Sequence, residues 1–378
     1  ESVEANPAFQ KKQLMIDFRK RGLQKLYQKA RKQVSEINEA SHLRHSDYYE
    51  TRYEVLMESF HDDAVQQLKE TFPLQEFADH LDITFIIKKL QQTCLLLNQR
   101  SVVKTEVEIG LLDEVLAHIK EKSELLLIPT VATYYFGYLT LSDQADRSHF
   151  LNFKKLVLRN PEKFLSEQLQ ELHLLAINYC IRKLNGGDHS FFVELLDLYK
   201  EGLRTETLLQ GKRLSRFTYH NIVATAIKSE ELDWASDFIT SYKPLLDKKF
   251  RESSFSYNLA RLSYSKGDYE TAMPLLQKAN YRDVLLNLAA KTLALKIYYE
   301  TDEIEVLQSH IEAMKSYIRR KRVIGYHKTN YLNILQLTQK LLQLNIYDRA
   351  AKKIFLEDVK STDPLTEKAW FGRVLKIK

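Results

Sequence analysis

The alternation of apolar and polar positions is clearest over residues 256–279, where it predicts two short helices joined by a tight turn. Gly267 and Asp268 interrupt the helical pattern where two antiparallel helices would be connected. The apolar or small positions at helical spacing are Leu259, Leu262, Ala272, Leu275, Leu276 and Ala279. A single hairpin cannot bury the apolar faces of both helices, so it needs similar hairpins beside it. The pattern therefore predicts a stack of helical hairpins.

Looser copies of this hairpin occur along the chain, most clearly over residues 171–320. Three first helices carry an early asparagine, at Asn178, Asn221 and Asn258. Acidic turns follow at residues 187–188, 230–231, 267–268 and 302–303. Ala235 and Ala272 come after two of these turns, where paired helices are expected to touch. We expect these units to form a helical-repeat array over residues 41–378.

The N-terminal stretch has a different pattern. Residues 9–37 carry an amphipathic stripe in which Gly22 is the only glycine and no proline occurs. The apolar positions of the stripe are Ile16, Leu23, Tyr27, Ala30, Val34 and Ile37. We predict one long helix within residues 1–40, which either caps the array or is the end of a removed domain. Because the sequence begins at Glu1 rather than methionine, we expect a trimmed chain from which a signal peptide could also have been lost.

The best-formed hairpin resembles a tetratricopeptide repeat. The residues at or beside the signature positions are Leu259, Ala260, Tyr264, Gly267, Tyr269, Ala272, Leu276 and Ala279. The resemblance extends to the units around Asn221 and Asp302 and fades before about residue 125. It implies an all-α fold, a right-handed α-solenoid of antiparallel helix pairs with a concave inner face, and it implies no chemistry. The tyrosine-rich, diverged repeats also resemble uncharacterised repeat proteins common in bacteria.

The composition agrees with an all-α protein. The chain has 378 residues, 44% hydrophobic and 28% charged, but only 10 glycines and 7 prolines, which favours long helices and short loops. No apolar run approaches the roughly 18 residues that cross a bilayer, so we expect no membrane span. Cys94 and Cys180 lie in apolar helical patterns, and buried free thiols suit a reducing compartment. We therefore expect a cytoplasmic protein.

Candidate catalytic and metal-binding patterns are weak. His42 and His45 lie three residues apart and His61 precedes two aspartates, but no Glu-x-x-His pattern recurs and no His-Glu-x-x-His occurs. The Gly-Gly-Asp-His-Ser run at residues 186–190 occupies a predicted turn. Neither Gly-x-Gly-x-x-Gly nor the Walker pattern is present. We expect no catalytic residue, no metal site, no cofactor and no enzymatic activity.

The basic residues of the chain support an alternative function. The formal net charge is +6, with basic runs between Arg19 and Lys32 and between Arg319 and Arg322. Such runs can contact phosphates, so a nucleic-acid-binding repeat protein is the alternative hypothesis. A basic run at a helix end also interacts favourably with the helix dipole and stays solvated.

The resemblance places the first helices on the inner face, where they would line a groove between about residues 130 and 300. The groove residues that we predict are Asn178, Asn221, Tyr257, Asn258, Arg261 and Tyr264. Tyrosine and arginine dominate interface energetics, and an inner-face asparagine either pairs with a ligand backbone or with a neighbouring repeat. The basic clamp that some relatives use for a C-terminal carboxylate is not reproduced, because only Arg261 is present. We predict a non-catalytic scaffold for a protein or peptide whose identity the sequence does not give.

Overall fold

The computed structural model describes residues 7–65, 72–100, 107–143, 145–278, 283–321, 325–345 and 347–377. Over these residues the chain is all-α, with eighteen α-helices and two strands of two residues each, β1 (Leu209–Gln210) and β2 (Arg213–Leu214). The predicted fold class is confirmed in this respect. Contacts divide the chain into two compact units, Glu1–Gln210 and Gly211–Lys378.

The first unit contains nine of the described helices. They are α1 (Pro7–Lys20), α2 (Gln24–Ala40), α3 (Ser46–Val65), α4 (Leu74–Arg100), α5 (Leu112–Glu121), α6 (Pro129–Ser142), α7 (Arg147–Arg159), α8 (Ser166–Asn185) and α9 (Phe191–Arg204). Consecutive helices pack in pairs, α1 with α2, α3 with α4, α6 with α7 and α8 with α9. Helix α4 also packs against α6, and α6 against α8, so alternate helices lie side by side.

The second unit repeats this arrangement. Its described helices are α10 (Arg216–Lys228), α11 (Leu232–Tyr242), α12 (Lys248–Ser265), α13 (Tyr269–Lys278), α14 (Val284–Glu300), α15 (Ile304–Arg320), α16 (Gly325–Gln343), α17 (Arg349–Ser361) and α18 (Lys368–Ile377). Helix α10 packs against both α11 and α12, and α12 against both α13 and α14. Ala235 and Ala272 are fully buried, and Ala272 shares a core cluster with Ala260 of the paired helix. The expected close contact of these helices is confirmed.

One type of turn ends the first helix of several pairs. Its left-handed residue is Gly22, Gly187, Glu230, Gly267 or Asp302. At Gly267 the amide of Asp268 donates to the carbonyl of Ser263 at 2.9 Å, and the amide of Gly267 donates to the carbonyl of Tyr264 at 3.1 Å. The same two hydrogen bonds recur at each of the other turns and define the Schellman motif. The turn positions predicted over residues 187–303 are therefore confirmed.

The single long helix predicted within residues 1–40 is wrong. Gly22 adopts a φ of 68°, and the amide of Leu23 donates to the carbonyl of Phe18, so α1 ends there and α2 begins at Gln24. The two helices pack against each other around Met15 and Tyr27, which are fully buried. Because both α1 and α2 also contact α3, residues 7–40 belong to the first unit. Of the predicted stripe, Tyr27, Ala30 and Val34 of α2 are buried, whereas Leu23 in the turn is exposed.

The turns give a prediction about stability. A Cβ atom at Gly267 would meet no atom within 4 Å, so Gly267→Ala costs only the left-handed backbone conformation, about 1 kcal/mol. Glu230→Gly removes the same conformational cost and is expected to raise the free energy of unfolding by up to about 1 kcal/mol. Part of this gain is offset because glycine increases the conformational entropy of the unfolded chain. Urea unfolding measures both changes. Gly110→Ala is the control, since Gly110 has no left-handed φ and open space around it; an equal loss there contradicts the argument.

Candidate functional site

A polar surface lies where α10, α12 and α14 of the second unit run side by side. Each helix contributes polar residues four positions apart, which places them one turn above the other on one helix face. This surface, called here the polar face, consists of Arg216, His220, Tyr257, Asn258, Arg261, Asp283 and Asn287. Helix α12 packs against both α10 and α14, and contacts between these helices join His220 to Asn258 and Arg216 to Asp283.

Asn258 and His220 form the centre of the polar face. The Asn258 Nδ2 atom donates to His220 Nδ1 at 2.9 Å and to the carbonyl oxygen of Ser254 at 3.1 Å. Asn258 is fully buried, and its Oδ1 atom has no hydrogen-bond partner among the described residues. Burial lowers the pKa of His220 to about 4, and the neighbouring charges of Arg261 and Arg216 act in the same direction. The imidazole is therefore neutral at pH 7.

Arg216 joins the three helices. Its Nη2 atom lies 3.0 Å from Asp283 Oδ2, and its guanidinium stacks 3.9 Å from the ring centroid of Phe250 on α12. Asp283 also caps α14, because its Oδ1 atom accepts a hydrogen bond from the amide of Leu286 at 2.7 Å. The Arg216 Nη1 atom is buried without a partner in the described part of the chain. One arginine thus fixes the spacing of the first turns of these helices.

Arg261 and Tyr257 lie one turn apart on α12, and both are half-buried. The Tyr257 ring lies edge-on to His220, with ring centroids 5.6 Å apart. Burial raises the pKa of the Tyr257 phenol, while the charge of Arg261 lowers it and that of Glu367 raises it. Within the described residues the Arg261 guanidinium makes no hydrogen bond and no ion pair. It is a positive charge beside a neutral imidazole and a phenol.

Tyr264 belongs to a different cluster, centred on the carboxylate of Glu300 at the end of α14. The Tyr264 hydroxyl donates to Glu300 Oε1 at 2.5 Å, and the Tyr269 hydroxyl donates to Oε2. Trp370 Nε1 and Arg373 Nη2 of α18 each donate to Oε1 at 2.7 Å. Burial would raise the pKa of Glu300, but these hydrogen bonds and the Arg373 charge outweigh it, so the pKa lies below its ordinary value. The cluster ties α18 to α12, α13 and α14.

The structure brings together three of the six groove residues predicted from the sequence, namely Tyr257, Asn258 and Arg261. Asn221 is exposed on α10, and Asn178 is exposed on α8 of the first unit. The Tyr264 hydroxyl is already bonded to Glu300 and accepts from Arg373 at 2.6 Å, so it is not available as an anchor for a ligand.

His220, Arg216 and Asp283 were missed by sequence reasoning. Arg216 and His220 are four residues apart, and this spacing could have indicated that they share one helix face. Asp283 precedes an apolar run, and this position could have indicated a helix cap. No sequence signal marks Glu300 as the centre of a cluster.

The basic runs of the alternative hypothesis are partly neutralised. Arg19 is paired with Glu58, and Lys32 with Glu36 at 3.7 Å. Arg31 donates to Ser59 Oγ at 3.0 Å and lines a cleft of about 280 Å³. In the other run, Arg319 and Arg320 are exposed in the last turn of α15, where they complement the helix dipole. Arg322 lies outside the described residues.

The described residues contain no group of three or more His, Cys, Asp and Glu side chains arranged to hold a metal ion. Both cysteines are free and buried, as predicted, and burial raises the pKa of the Cys94 thiol to about 12. None of the described helices is long and apolar enough to cross a membrane. Comparisons with protein-family models, with curated proteins and with solved structures give no match for this chain.

The Glu300 cluster predicts a large effect for a near-isosteric change. Glu300→Gln removes the charge that strengthens all four hydrogen bonds, and we expect it to lower the free energy of unfolding by about 2–3 kcal/mol. Chemical denaturation of the full chain measures the loss. Glu357→Gln, at an exposed position of α17, is the matched control and is expected to change stability by less than about 0.5 kcal/mol. Equal effects of the two substitutions would contradict the assigned role of Glu300.

The buried histidine predicts a pH dependence. The pKa of His220 is about 4 in the folded chain against an ordinary 6.5, so the unfolded chain binds more protons between these values. Its contribution to stability is complete above about pH 6.5 and is lost as the pH falls towards 4. We expect His220→Gln to reduce the slope of unfolding free energy against pH in this window, by up to about one proton. Replacement of the exposed His327 by Gln is the matched control, and an equal change of slope in the two variants would contradict the assignment to His220.

Proposed function

We propose that this chain is a non-catalytic scaffold that binds a protein or peptide on the polar face of α10, α12 and α14. In this proposal the helix pairs form a right-handed, tetratricopeptide-like solenoid, and the polar face lies on its concave side. The recurring Schellman turns and the packing of alternate helices support the proposed architecture. The buried free thiols fit the reducing conditions of a cytoplasmic protein.

The observation that carries the proposed function is a set of buried polar atoms on α10, α12 and α14 that have no partner among the described residues. The buried atoms without a partner in the described part of the second unit include Arg216 Nη1, Ser254 Oγ, Asn258 Oδ1 and Asn287 Oδ1. Buried polar atoms in folded proteins normally have a partner in the chain, in ordered water or in a ligand. Helices α10, α12 and α14 therefore have hydrogen-bonding capacity that their own folding does not use.

The half-buried residues beside these atoms suit a polypeptide ligand. Tyr257 offers a large rigid surface with few rotors to immobilise, and Arg261 offers five donors in a planar fork. Both residue types are enriched among the side chains that dominate binding energy at interfaces. For nucleic acid, by contrast, the N-terminal basic run has several of its charges engaged with Glu58, Glu36 and Ser59.

A selection experiment tests this function. Random dodecapeptides displayed on phage are selected on the full chain, and the enriched sequences are synthesised and measured by fluorescence anisotropy. Tyr257→Ala is expected to weaken binding about tenfold, the effect of losing an aromatic anchor. Tyr347→Ala removes an equally large ring that is 86% exposed, and it should leave the affinity unchanged.

Melting temperatures of both variants show whether they remain folded. If no peptide is enriched on the wild-type chain, the proposed function is wrong. Binding of a labelled RNA or DNA oligonucleotide that falls steeply with salt would favour the nucleic-acid alternative instead.

A further inference from the structure

Lys296 and Arg261 occupy equivalent positions in adjacent first helices. Asp302 is the left-handed residue that follows α14, and Gly267 is the left-handed residue that follows α12. Lys296 precedes Asp302 by the same number of residues as Arg261 precedes Gly267. Because the turns share one hydrogen-bonding pattern and α12 packs against α14, the two cations sit at matching heights on neighbouring helices.

Lys296 holds a carboxylate of the chain's own C-terminal segment. Its Nζ atom lies 2.8 Å from Oε2 of Glu367, which directly precedes α18. The main chain just before Glu367 is bound by two side-chain amides of α16. Asn330 Oδ1 accepts from the amide of Thr366 at 2.8 Å, and Asn333 Nδ2 donates to the carbonyl of Pro364 at 2.9 Å. The second unit thus already binds one polypeptide segment through main-chain hydrogen bonds and a lysine–carboxylate pair.

Arg261 has the same position, but no carboxylate of the described residues is paired with it. The charge of Glu367, which is paired with Lys296, raises the pKa of Tyr257 on the neighbouring helix α12. Among the described residues, however, no acidic side chain lies within ion-pair distance of Arg261. A half-buried guanidinium loses hydration without gaining a counter-ion, and its interaction with an incoming anion is stronger than it would be in open water. The neutral imidazole of His220 adds no competing charge.

We propose that the partner of the polar face is a polypeptide segment bearing an aspartate or glutamate side chain, which pairs with Arg261 as Glu367 pairs with Lys296. This inference rests on the proposed peptide-binding function and specifies its ligand. An Arg–carboxylate pair can form two parallel hydrogen bonds, so a single acidic position in the ligand is sufficient. Main-chain groups of the same segment would meet the side chains around Tyr257.

The peptides enriched on the full chain provide the test. We expect them to share an acidic residue at one fixed position, and synthetic peptides with Asp→Asn or Glu→Gln at that position should bind about 10- to 100-fold more weakly. Arg261→Ala should lower the affinity for the acidic peptide by a similar factor. It should lower the affinity for the Asp→Asn or Glu→Gln peptide little further. Arg349→Ala removes the same charge from an exposed site on α17 and is expected to have no effect.

Three comparisons can contradict the proposed pair. Peptides are compared with amidated and free C-termini, because strong binding only of the free form would assign Arg261 to a terminal carboxylate and overturn the proposal. Enriched peptides without a fixed acidic residue would also overturn it while leaving the peptide-binding function intact. Arg261→Gln, which retains a polar side chain, is measured beside Arg261→Ala and its melting temperature recorded. Unchanged affinity for the acidic peptide in a folded Arg261→Gln chain would exclude the proposed pair.

Discussion

A residue in the left-handed conformation at the end of the first helix is the constraint on which these helix pairs depend. It satisfies the last carbonyl groups of the helix and reverses the chain within a few residues, so the second helix returns along the first. The return brings Ala260 and Ala272 into one core cluster, where small side chains allow the helices to approach closely. Glycine accepts the left-handed φ without cost, whereas Glu230 and Asp302 adopt it at an energetic cost that packing of the pair must offset.

In the second unit α12 packs against both α10 and α14, and these helices bring polar side chains into a partly buried seam. Two buried or half-buried charges of the second unit, those of Glu300 and Arg261, have different surroundings. Glu300 is surrounded by four donors and helps to fix α18, although a carboxylate at a helix C-terminus is opposed by the helix dipole. Arg261 is half-buried, and no anionic side chain in the described part of the chain is paired with it. The satisfied carboxylate contributes to folding, and the unsatisfied cation is suited to binding.

The sequence alone was sufficient for the class of fold and for most of its local geometry. Few glycines and prolines, helical spacing of apolar residues and recurring acidic turns predicted an all-α chain with turns at residues 187–303, and the structure has them. The prediction of one helix across Gly22 was wrong, because an amphipathic pattern continues across a break in the helix when both halves face the same core. Periodicity reports which face is buried, and it does not report whether the helix axis is continuous.

The role of each polar residue was decided only by the tertiary structure. Asn178, Asn221 and Asn258 stand at the same distance before the left-handed residue of their turns, so the sequence determined their common register. Yet Asn178 and Asn221 are exposed, while Asn258 is fully buried against His220. Likewise Tyr264 is bonded to Glu300 and, from far along the chain, to Arg373. Register depends on neighbours within one helix, which the sequence contains. Burial and hydrogen-bond partners depend on side chains of other helices, which only folding brings together.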